Sequence, residues 1–325
     1  MCKLKSGIVL KNRVFVPEYD SHTEMLEELG IKDDYLNASK TFVRVELSPT
    51  DGDVFSDIDT WKLNVDQDIM PEWYDEDIYK PQVVKAVKEW AKDHIHIGVD
   101  NLKISTGRNH CIKDCKDVDI CGSAMVKYIH GNATVEYIHD NATVENIFDS
   151  ATVKNIYGKA TVKNIYYNAT VENISCNATV KYIYDNATVK YIHDNATVEN
   201  IFGNATVKNI FGNATVKNIS CNATVKNIYG NATAKNIYDD ATVKNIFGNA
   251  TVKNIFDSAT VKNILDSATV KNVKGMAIII GSEYGWKKKD TLILAENATF
   301  KDCQTKTIYQ SGDWKLVSVE NKNKV

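Results

Sequence analysis

A nine-residue pattern of apolar and polar positions runs without interruption from Ser123 to Gly275, which is seventeen units of nine. With Asn132 as position one of its unit, position two is always Ala. Position four is Val except at Ala234, and position seven is Ile except at Val273. Small and β-branched side chains at fixed spacing suit a narrow, close-packed core. A fixed period of this kind predicts a solenoid in which each unit stacks on its neighbours.

The positions within a unit predict how the chain turns. Positions two and four share one face of a strand because side chains alternate. Position seven breaks the alternation, so we expect a corner near positions five and six, where Asn146 and Asn209 are examples of turn-tolerant residues. Nine residues are too few to circle a core. We therefore predict two units per coil, about 8.5 right-handed coils and a rod of roughly 40 Å. Three units per coil is the alternative, while a helical repeat would need a 3.6-residue stripe that is missing.

The residues before the repeat predict a compact head of mixed α and β structure. Alternating or apolar runs predict strands at 7–10, 14–16, 42–47 and 61–65. A capping box at Ser21 predicts a helix that carries Met25, Leu26 and Leu29. Pro81 predicts the start of a second helix. Its apolar face would hold Val84, Val87, Trp90 and Ala91.

These patterns divide the chain into three expected regions. They are an α+β head domain at 1–105, a nonapeptide-repeat β-solenoid at 106–280 and a C-terminal β cap at 281–325. Within the second region, Asp114 to Gly122 is interpreted as one degenerate unit. A solenoid needs a terminal element over its open edge, and Trp314 with the strand after it is the expected cover. The predicted fold class is mostly β.

Charge and cysteine content narrow the setting. The chain has a net charge of −3, but residues 1–105 carry 13 basic and 21 acidic side chains while the repeats carry 15 lysines and 12 acids. An acidic head thus precedes a mildly basic body. Seven cysteines is an odd number, which fits free thiols in a reducing compartment. We find neither a signal-peptide pattern nor an apolar run long enough to cross a bilayer. The expected location is the cytoplasm, without membrane contact.

Two groups of residues raise the question of a metal. Acids cluster from Asp51 to Asp59 and from Asp66 to Asp77, which fits either a cation or basic-partner site or a solvated loop surface. His110, Cys111, Cys115 and Cys121 lie close together, but their spacing is a poor match to paired zinc ligands. Cys176 and Cys221 occupy the same column and are interpreted as plain surface or turn thiols. The sequence therefore predicts no metal, no cofactor and no catalytic residue.

The outward columns of the repeat are the candidate binding surface. Position three is Thr except at Met125, position five is Lys in thirteen units and Glu in four, and position eight is mostly aromatic. The later half, from Asn204 to Gly275, carries nine lysines and four aspartates, a net charge of +5. The candidate residues there are Lys208, Lys217, Lys226, Lys235, Lys244, Lys253, Lys262, Lys271, Phe211, Tyr229, Tyr238, Phe247 and Phe256. They predict either polyanion contact, with bases stacked on the rings, or a column that keeps a β-rod soluble.

Three segments and the array together resemble a group of uncharacterised proteins from gut bacteria and their phages. The segments are Met1 to Ile8, Asp20 to Leu26 and Trp61 to Trp73, and the NATVxNI array follows in the same order. The resemblance covers nearly the whole chain. It implies a bacterial cytoplasm, or the host cytoplasm if the protein is phage-encoded, and carries over no activity or catalytic residue.

The leading functional hypothesis is a non-enzymatic scaffold that binds a macromolecular partner, in the first place a protein, through its head or its solenoid. The second is a nucleic-acid or nucleotide-binding protein that uses the Lys and aromatic columns. The third is an enzyme with its active site in the head. A homo-oligomer is a further expectation left open by the sequence.

Overall fold

The computed structural model describes residues 5–287 and 292–311. The chain forms a parallel β-solenoid of about 11 turns, preceded by a region of helix and sheet. We call that region the head and the stacked coils the solenoid. The mostly β fold with a mixed N-terminal region, predicted from the hydrophobic pattern, is confirmed.

The head is built on one four-stranded antiparallel sheet, whose strands lie in the order Arg13–Phe15, Lys5–Leu10, Phe42–Ser48 and Lys62–Val65. Its elements, in chain order, are β1 (Lys5–Leu10), β2 (Arg13–Phe15), α1 (His22–Glu28), α2 (Tyr35–Ala38), β3 (Phe42–Ser48), a 3-10 helix (Ile58–Thr60), β4 (Lys62–Val65) and α3 (Glu76–His94). The four strands and two helices predicted for the head are therefore present, with α2 and the 3-10 helix as additions.

The two long helices of the head differ in how well their starts were predicted. The Ser21 hydroxyl accepts a hydrogen bond from the backbone N–H of Glu24 at 3.2 Å, so the predicted cap of α1 is present. Helix α3 begins at Glu76, five residues before Pro81. Asp75 supplies the stronger start signal, because its carboxylate accepts the N–H of Asp77 at 3.0 Å. The prediction from Pro81 was therefore wrong about the position of the start.

The head sheet has a core on each face. Ile8 and Phe42 pack with Met25 and Leu26 of α1. Their neighbours Val9 and Val43 enter a second cluster with α3, because side chains alternate along β1 and β3. Cys111 of the solenoid belongs to this second cluster, so the head is packed against the first coils.

The solenoid is a series of short parallel strands. They are β5 (Ile95–Ile97), β6 (Lys103–Ile104), β7 (His110–Lys113), β8 (Val118–Ile120), β9 (Met125–His130), β10 (Thr134–Ile138), β11 (Thr143–Ile147), β12 (Thr152–Ile156), β13 (Thr161–Ile165), β14 (Thr170–Ile174), β15 (Thr179–Ile183), β16 (Thr188–Ile192), β17 (Thr197–Ile201), β18 (Thr206–Ile210), β19 (Thr215–Ile219), β20 (Thr224–Ile228), β21 (Thr233–Ile237), β22 (Thr242–Ile246), β23 (Thr251–Ile255), β24 (Thr260–Asp266), β25 (Thr269–Val273), β26 (Ile278–Trp286), β27 (Ile293–Leu294), β28 (Thr299–Asp302) and β29 (Thr307–Gln310).

These strands alternate between two sheets. The first sheet contains the even-numbered strands from β6 to β28 and, at its end, β29, and the second contains the odd-numbered strands from β5 to β27. Partners within a sheet are eighteen residues apart, as in Val207 beside Val225 and Ile210 beside Ile228. Two units per coil is therefore confirmed.

Three columns fill the space between the sheets. Ala at position two, Val at position four and Ile at position seven have no exposed surface in the regular units, with Ala205, Val207 and Ile210 as one example. Because every coil contributes the same small set, the core is one continuous cluster from Ile104 to Phe300.

The corner lies elsewhere than the sequence suggested. Positions three to seven form a single strand, and the cross-coil pairing skips position five, so positions five and six both face outward. The chain turns at positions eight, nine and one, and position nine has a positive φ in all seventeen units. The prediction of a corner at positions five and six was wrong. Because the pairing skips position five, two successive side chains lie on the same outer face, and the inward–outward alternation of side chains shifts although the chain does not turn.

Aspartate is common at position nine because it compensates for the left-handed backbone. The Asp239 carboxylate accepts the N–H of Cys221, one coil earlier, at 3.1 Å. Asp266 accepts the N–H of Gly248 in the same way at 3.1 Å. Each such residue ties two successive corners together.

The solenoid extends beyond both predicted boundaries. At the N-terminal end β5 pairs with β7 and β6 with β8, so coiling starts at Ile95, before residue 106. At the other end β26, β27 and β28 continue the two sheets past residue 280, and β29 runs antiparallel to β28. These irregular coils raise the total above the 8.5 expected from the repeats. Trp286 packs edge-on to Phe300 at the end of the core, whereas Trp314 lies outside the described residues.

A buried polar cluster joins the head to the first coils. Lys5, with 0 % of its side chain exposed, contacts Asp20 at 2.8 Å and lies over the Trp90 ring. The Asn109 amide, from the solenoid, donates to the other Asp20 oxygen at 3.0 Å. The Lys5 ammonium and the Asp20 carboxylate therefore both have partners where the two parts meet.

Candidate binding surfaces of the solenoid

Each unit presents three side chains on the outer face of its sheet. In β18 these are Thr206, Lys208 and Asn209, while Val207 and Ile210 point into the core. Every face therefore carries a Thr column, a Lys or Glu column and an Asn or Tyr column. Successive members are one coil, about 4.8 Å, apart.

The thirteen predicted binding residues do not form one surface. The first sheet and its corner carry Lys208, Lys226, Lys244, Lys262, Phe211, Tyr229 and Phe247. The second sheet and its corner carry Lys217, Lys235, Lys253, Lys271, Tyr238 and Phe256. Consecutive units alternate between the sheets, so a run of lysines nine residues apart becomes two ladders on opposite sides of the core.

Each glutamate at position five is paired with the lysine one coil later. The pairs are Glu136 with Lys154, Glu145 with Lys163, Glu172 with Lys190 and Glu199 with Lys217, with N–O distances of 2.5 to 2.7 Å. The hydrogen bond from Lys217 lowers the pKa of the Glu199 carboxyl, and Glu136 raises the pKa of Lys154. In the half of the solenoid nearest the head, the charges of position five therefore largely cancel. The charge of Lys217, in the later half, is likewise balanced by Glu199.

Four consecutive coils of the first sheet carry an exposed lysine whose ammonium has no carboxylate within 4.0 Å in the described chain. They are Lys208, Lys226, Lys244 and Lys262, and we call them the lysine face. On the second sheet such residues do not fill four consecutive coils, because Lys181, Lys253 and Lys271 are exposed without a carboxylate within 4.0 Å in the described chain but Lys235 is half-buried. Like charges one coil apart repel each other within the screening length of physiological salt, so an acidic ligand along this ladder relieves repulsion as well as adding contacts.

Beside the lysine face lies a column of asparagine side chains whose amides are hydrogen-bonded to one another. Asn227, Asn245 and Asn263 each donate from Nδ2 to the Oδ1 of the Asn one coil earlier, at 2.8 to 2.9 Å, beginning with Asn209. The expected turn role of position six was therefore wrong, since these residues lie inside strands. Their hydrogen bonds fix the column that flanks the lysines.

The aromatic side chains at position eight are stacked on one another along the corner. Phe211 and Tyr229 have ring centroids 5.1 Å apart, and Tyr229 and Phe247 are 4.8 Å apart and almost parallel. Burial raises the pKa of the Tyr229 hydroxyl. Because both faces of an inner ring are covered, a nucleic-acid base has no free ring face there without separating two coils.

The acidic runs of the head act as local turn and cap acceptors. The Asp51, Asp57 and Asp75 carboxylates each accept the backbone N–H two residues later. Asp59 pairs with Lys88 of α3 at 2.6 Å. These hydrogen bonds and the ion pair give several of the clustered carboxylates a partner within the protein itself.

The cysteine-rich segment does not gather into the group considered from the sequence. Cys111 enters the head core, and Cys115 takes the place of a core Ala one coil before Ala133. His110 stacks between His94 and His96. Cys176 and Cys221 are exposed at position nine and follow strands of opposite sheets.

In the head, His22, Glu46 and Asp66 bring potential metal-binding atoms within 4.8 Å of one another. His22 Nε2 contacts the Val45 carbonyl oxygen at 3.2 Å, and its Nδ1 lies 3.3 Å from Asp66, which is 62 % exposed. One nitrogen beside a strongly exposed carboxylate resembles an ordinary surface ion pair more than a metal cage.

Comparison with protein families, with curated proteins and with solved structures returns no match for this chain. No α-helix in the described residues is both long and apolar enough to span a bilayer. The surfaces above are therefore interpreted from their own geometry.

Proposed function

We propose that this protein is a non-enzymatic scaffold that binds an acidic macromolecular partner along the lysine face. The observation that carries the proposal is the ladder itself, four exposed lysines in consecutive coils without a carboxylate partner in the part of the chain that the structure describes. The adjacent amide column keeps that face straight, so charges at a regular interval meet the partner. The resemblance to gut-bacterial and phage proteins adds a cytoplasmic setting to the proposal.

A protein partner with an acidic stripe is favoured over nucleic acid. The corner rings are already stacked on each other, which removes the base platforms that single-strand binders use. The repeats also contain no Arg, the residue best suited to bidentate phosphate contacts.

Binding of poly-L-glutamate to the full-length protein, measured against salt, tests the proposal. We expect affinity to fall as salt rises, and the combined variant Lys208→Gln, Lys226→Gln, Lys244→Gln and Lys262→Gln to bind at least about tenfold more weakly. The matched control replaces Lys154, Lys163, Lys190 and Lys217 with Gln. It has the same change in net charge but removes lysines that are already paired.

Equal losses in the two variants, or no binding by the native protein, would overturn the proposal. A single-stranded oligonucleotide that binds more tightly than polyglutamate, and loses affinity in the lysine-face variant, would favour the nucleic-acid hypothesis instead.

A further inference from the structure

At the corner that follows the strands of the first sheet, position eight is mostly aromatic, but the first residue of this column is a cysteine. Strand β8 pairs with β10 so that Val118 lies beside Val135 and Ile120 beside Ile138. Gly122 has φ +59°, the mark of position nine. Cys121 is therefore a position-eight residue, one coil before His139, and Asp119 lies beside Tyr137.

Three different metal-binding atoms meet at this corner. Asp119 Oδ1 is 3.0 Å from His139 Nε2, and a ligand atom from each of Asp119, Cys121 and His139 lies within 4.8 Å of the other two. Tetrahedral zinc, with bonds of about 2.3 Å to sulfur and 2.0 to 2.1 Å to nitrogen or oxygen, places its ligand atoms about 3.3 to 3.6 Å apart. Closing the site therefore needs side-chain shifts of about 1 Å.

The histidine is already held in the orientation that a metal ligand needs. Its Nδ1 lies 3.2 Å from Asp140 Oδ1, and the other Asp140 oxygen accepts the Gly122 N–H at 3.1 Å. A carboxylate on the far nitrogen is the usual support for a metal-binding imidazole. The Tyr157 ring stacks on His139 at 5.0 Å and 1°, so Nε2 stays directed towards Asp119.

A second corner of the same chain shows what is special about the first. His193 also occupies position eight, with its Nδ1 3.3 Å from Asp194 and an aromatic ring stacked on it. One coil earlier it has Asn173 and Ser175 where His139 has Asp119 and Cys121. The supported histidine is thus a repeated feature, whereas the thiol and the carboxylate beside it belong to the first corner.

We propose that Asp119, Cys121 and His139 form a zinc-binding site with its fourth position open to solvent. The mixed sulfur, nitrogen and oxygen set suits Zn²⁺. Thiolate and carboxylate together balance the charge of the dication. Cys121 is 6 % exposed while the His139 and Asp119 side chains are 20 % and 28 % exposed, so water reaches the site from one side. Lys103 contacts the other Asp119 oxygen at 3.3 Å, which leaves Oδ1 for the metal.

Cobalt titration of the full-length protein, stripped of metal with a chelator, tests the site. We expect one equivalent of Co²⁺ to give a thiolate-to-cobalt charge-transfer band with tetrahedral ligand-field bands, and Zn²⁺ to abolish both. Cys121→Ser should remove the charge-transfer band. Asp119→Asn should keep that band but weaken affinity at least about tenfold. The double variant Cys176→Ser and Cys221→Ser, which removes the two exposed thiols among the described residues, should match the native protein.

A native protein without the band would overturn the proposal. So would a band that survives in Cys121→Ser and disappears in the double variant. Circular dichroism of each variant checks folding. If Cys121→Ser fails to fold, the affinity of Asp119→Asn decides, because an unchanged value rejects the ligand assignment.

The corner at His193 offers a second test, in which substitutions copy the proposed ligands to that position. Asn173→Asp with Ser175→Cys places the same ligands beside His193 as lie beside His139. We expect this variant to bind two equivalents of Co²⁺ instead of one. A stoichiometry that stays at one would count against the assignment of the ligands to this corner geometry.

Discussion

At the scale of single residues, the solenoid depends on one left-handed backbone position per unit. Position nine holds Gly, Asp, Cys and, at Tyr167, an aromatic residue, all with positive φ. Glycine adopts this conformation without steric cost. Aspartate offsets the cost through its bond to the preceding corner, as at Asp239. Where neither is present, the surrounding coils must maintain the conformation.

Replacing a corner glycine should therefore destabilise the solenoid. Gly212 has φ +66°, and an added Cβ would approach the Asp194 backbone nitrogen to 2.8 Å. We expect Gly212→Ala to lower stability by about 1–2 kcal/mol, seen as a lower midpoint in thermal unfolding followed by circular dichroism. The control is Cys221→Ala, where the backbone already has φ +52° with a Cβ present, and the midpoint should barely move. Equal shifts would contradict this account.

A charge in the core should be far more harmful than one on the surface. Ile219 has no exposed area, so Ile219→Asp would bury a carboxylate between stacked coils. We expect a loss of several kcal/mol, or about 1 kcal/mol for the milder Ile219→Val. Lys235→Asp introduces the same group on the outer face and should change the unfolding midpoint little. A severe effect of Lys235→Asp with a mild one of Ile219→Asp would show that the faces are assigned the wrong way round.

At the scale of elements, the strands are held in register by side-chain ladders as well as by backbone pairing. Asn236 donates to Asn218 at 2.8 Å and accepts from Asn254 at 2.9 Å. Each inner amide is thus both donor and acceptor within one column. Tyr182 and Tyr191 interrupt the ladders and pack edge-on to the corner rings of the next coil.

Removing one donor from this column should be costly. Asn236→Asp keeps an acceptor for Asn254 but places an acceptor oxygen against the Asn218 oxygen. We expect a loss of about 1 kcal/mol near neutral pH, measured by denaturant unfolding. The loss should shrink as pH falls to 4, because protonation restores a donor. Asn222→Asp is the control, since its position-one amide makes only a 3.4 Å contact at the exposed corner. A loss that is independent of pH would argue against the ladder.

Much of this architecture follows from the sequence, and the exceptions have identifiable causes. Ala, Val and Ile at positions two, four and seven predicted the core, and eighteen-residue coils followed from their spacing. The corner was misplaced because a break in strand pairing and a turn both interrupt alternation. The Glu–Lys pairs follow from the eighteen-residue period, for example Glu172 and Lys190. The contact of His139 with Asp119, by contrast, crosses into a coil whose unit is irregular, so spacing alone does not reveal it.

At the scale of the whole molecule, the head and the solenoid meet through a stack of rings. Trp90 and His94 of α3 lie 4.8 Å apart, and His94, His110 and His96 continue the stack at 5.0 and 5.6 Å. Burial, together with the neighbouring imidazoles of His110 and His94, lowers the pKa of His96 to about 4. The junction is thus built to hold the His96 ring without charge.

Acid should weaken this junction over a defined range. Above pH 6.5 His96 is neutral in the folded and unfolded chain, so its contribution to stability is complete. Between pH 6.5 and 4 the unfolded chain binds a proton that the folded chain excludes, and stability falls. Because the ring is only partly buried, we expect a loss of order 1–2 kcal/mol from this residue. Denaturant unfolding of the native protein and of His96→Gln measures it. The variant should show a shallower decline, and equal slopes would contradict the assignment.

The stacking of each unit on the one two places before it has a consequence at the level of the gene. Coding segments for NATVKNIFG and its near-copies recur along the array, so misaligned recombination between them adds or deletes whole units. Two added units lengthen the rod by one coil, about 4.8 Å. One added unit carries every later residue to the opposite sheet and exchanges the sides on which the lysines lie. The length of the rod and the sheet on which its lysines lie are therefore heritable, and both change in discrete steps while the fold stays the same.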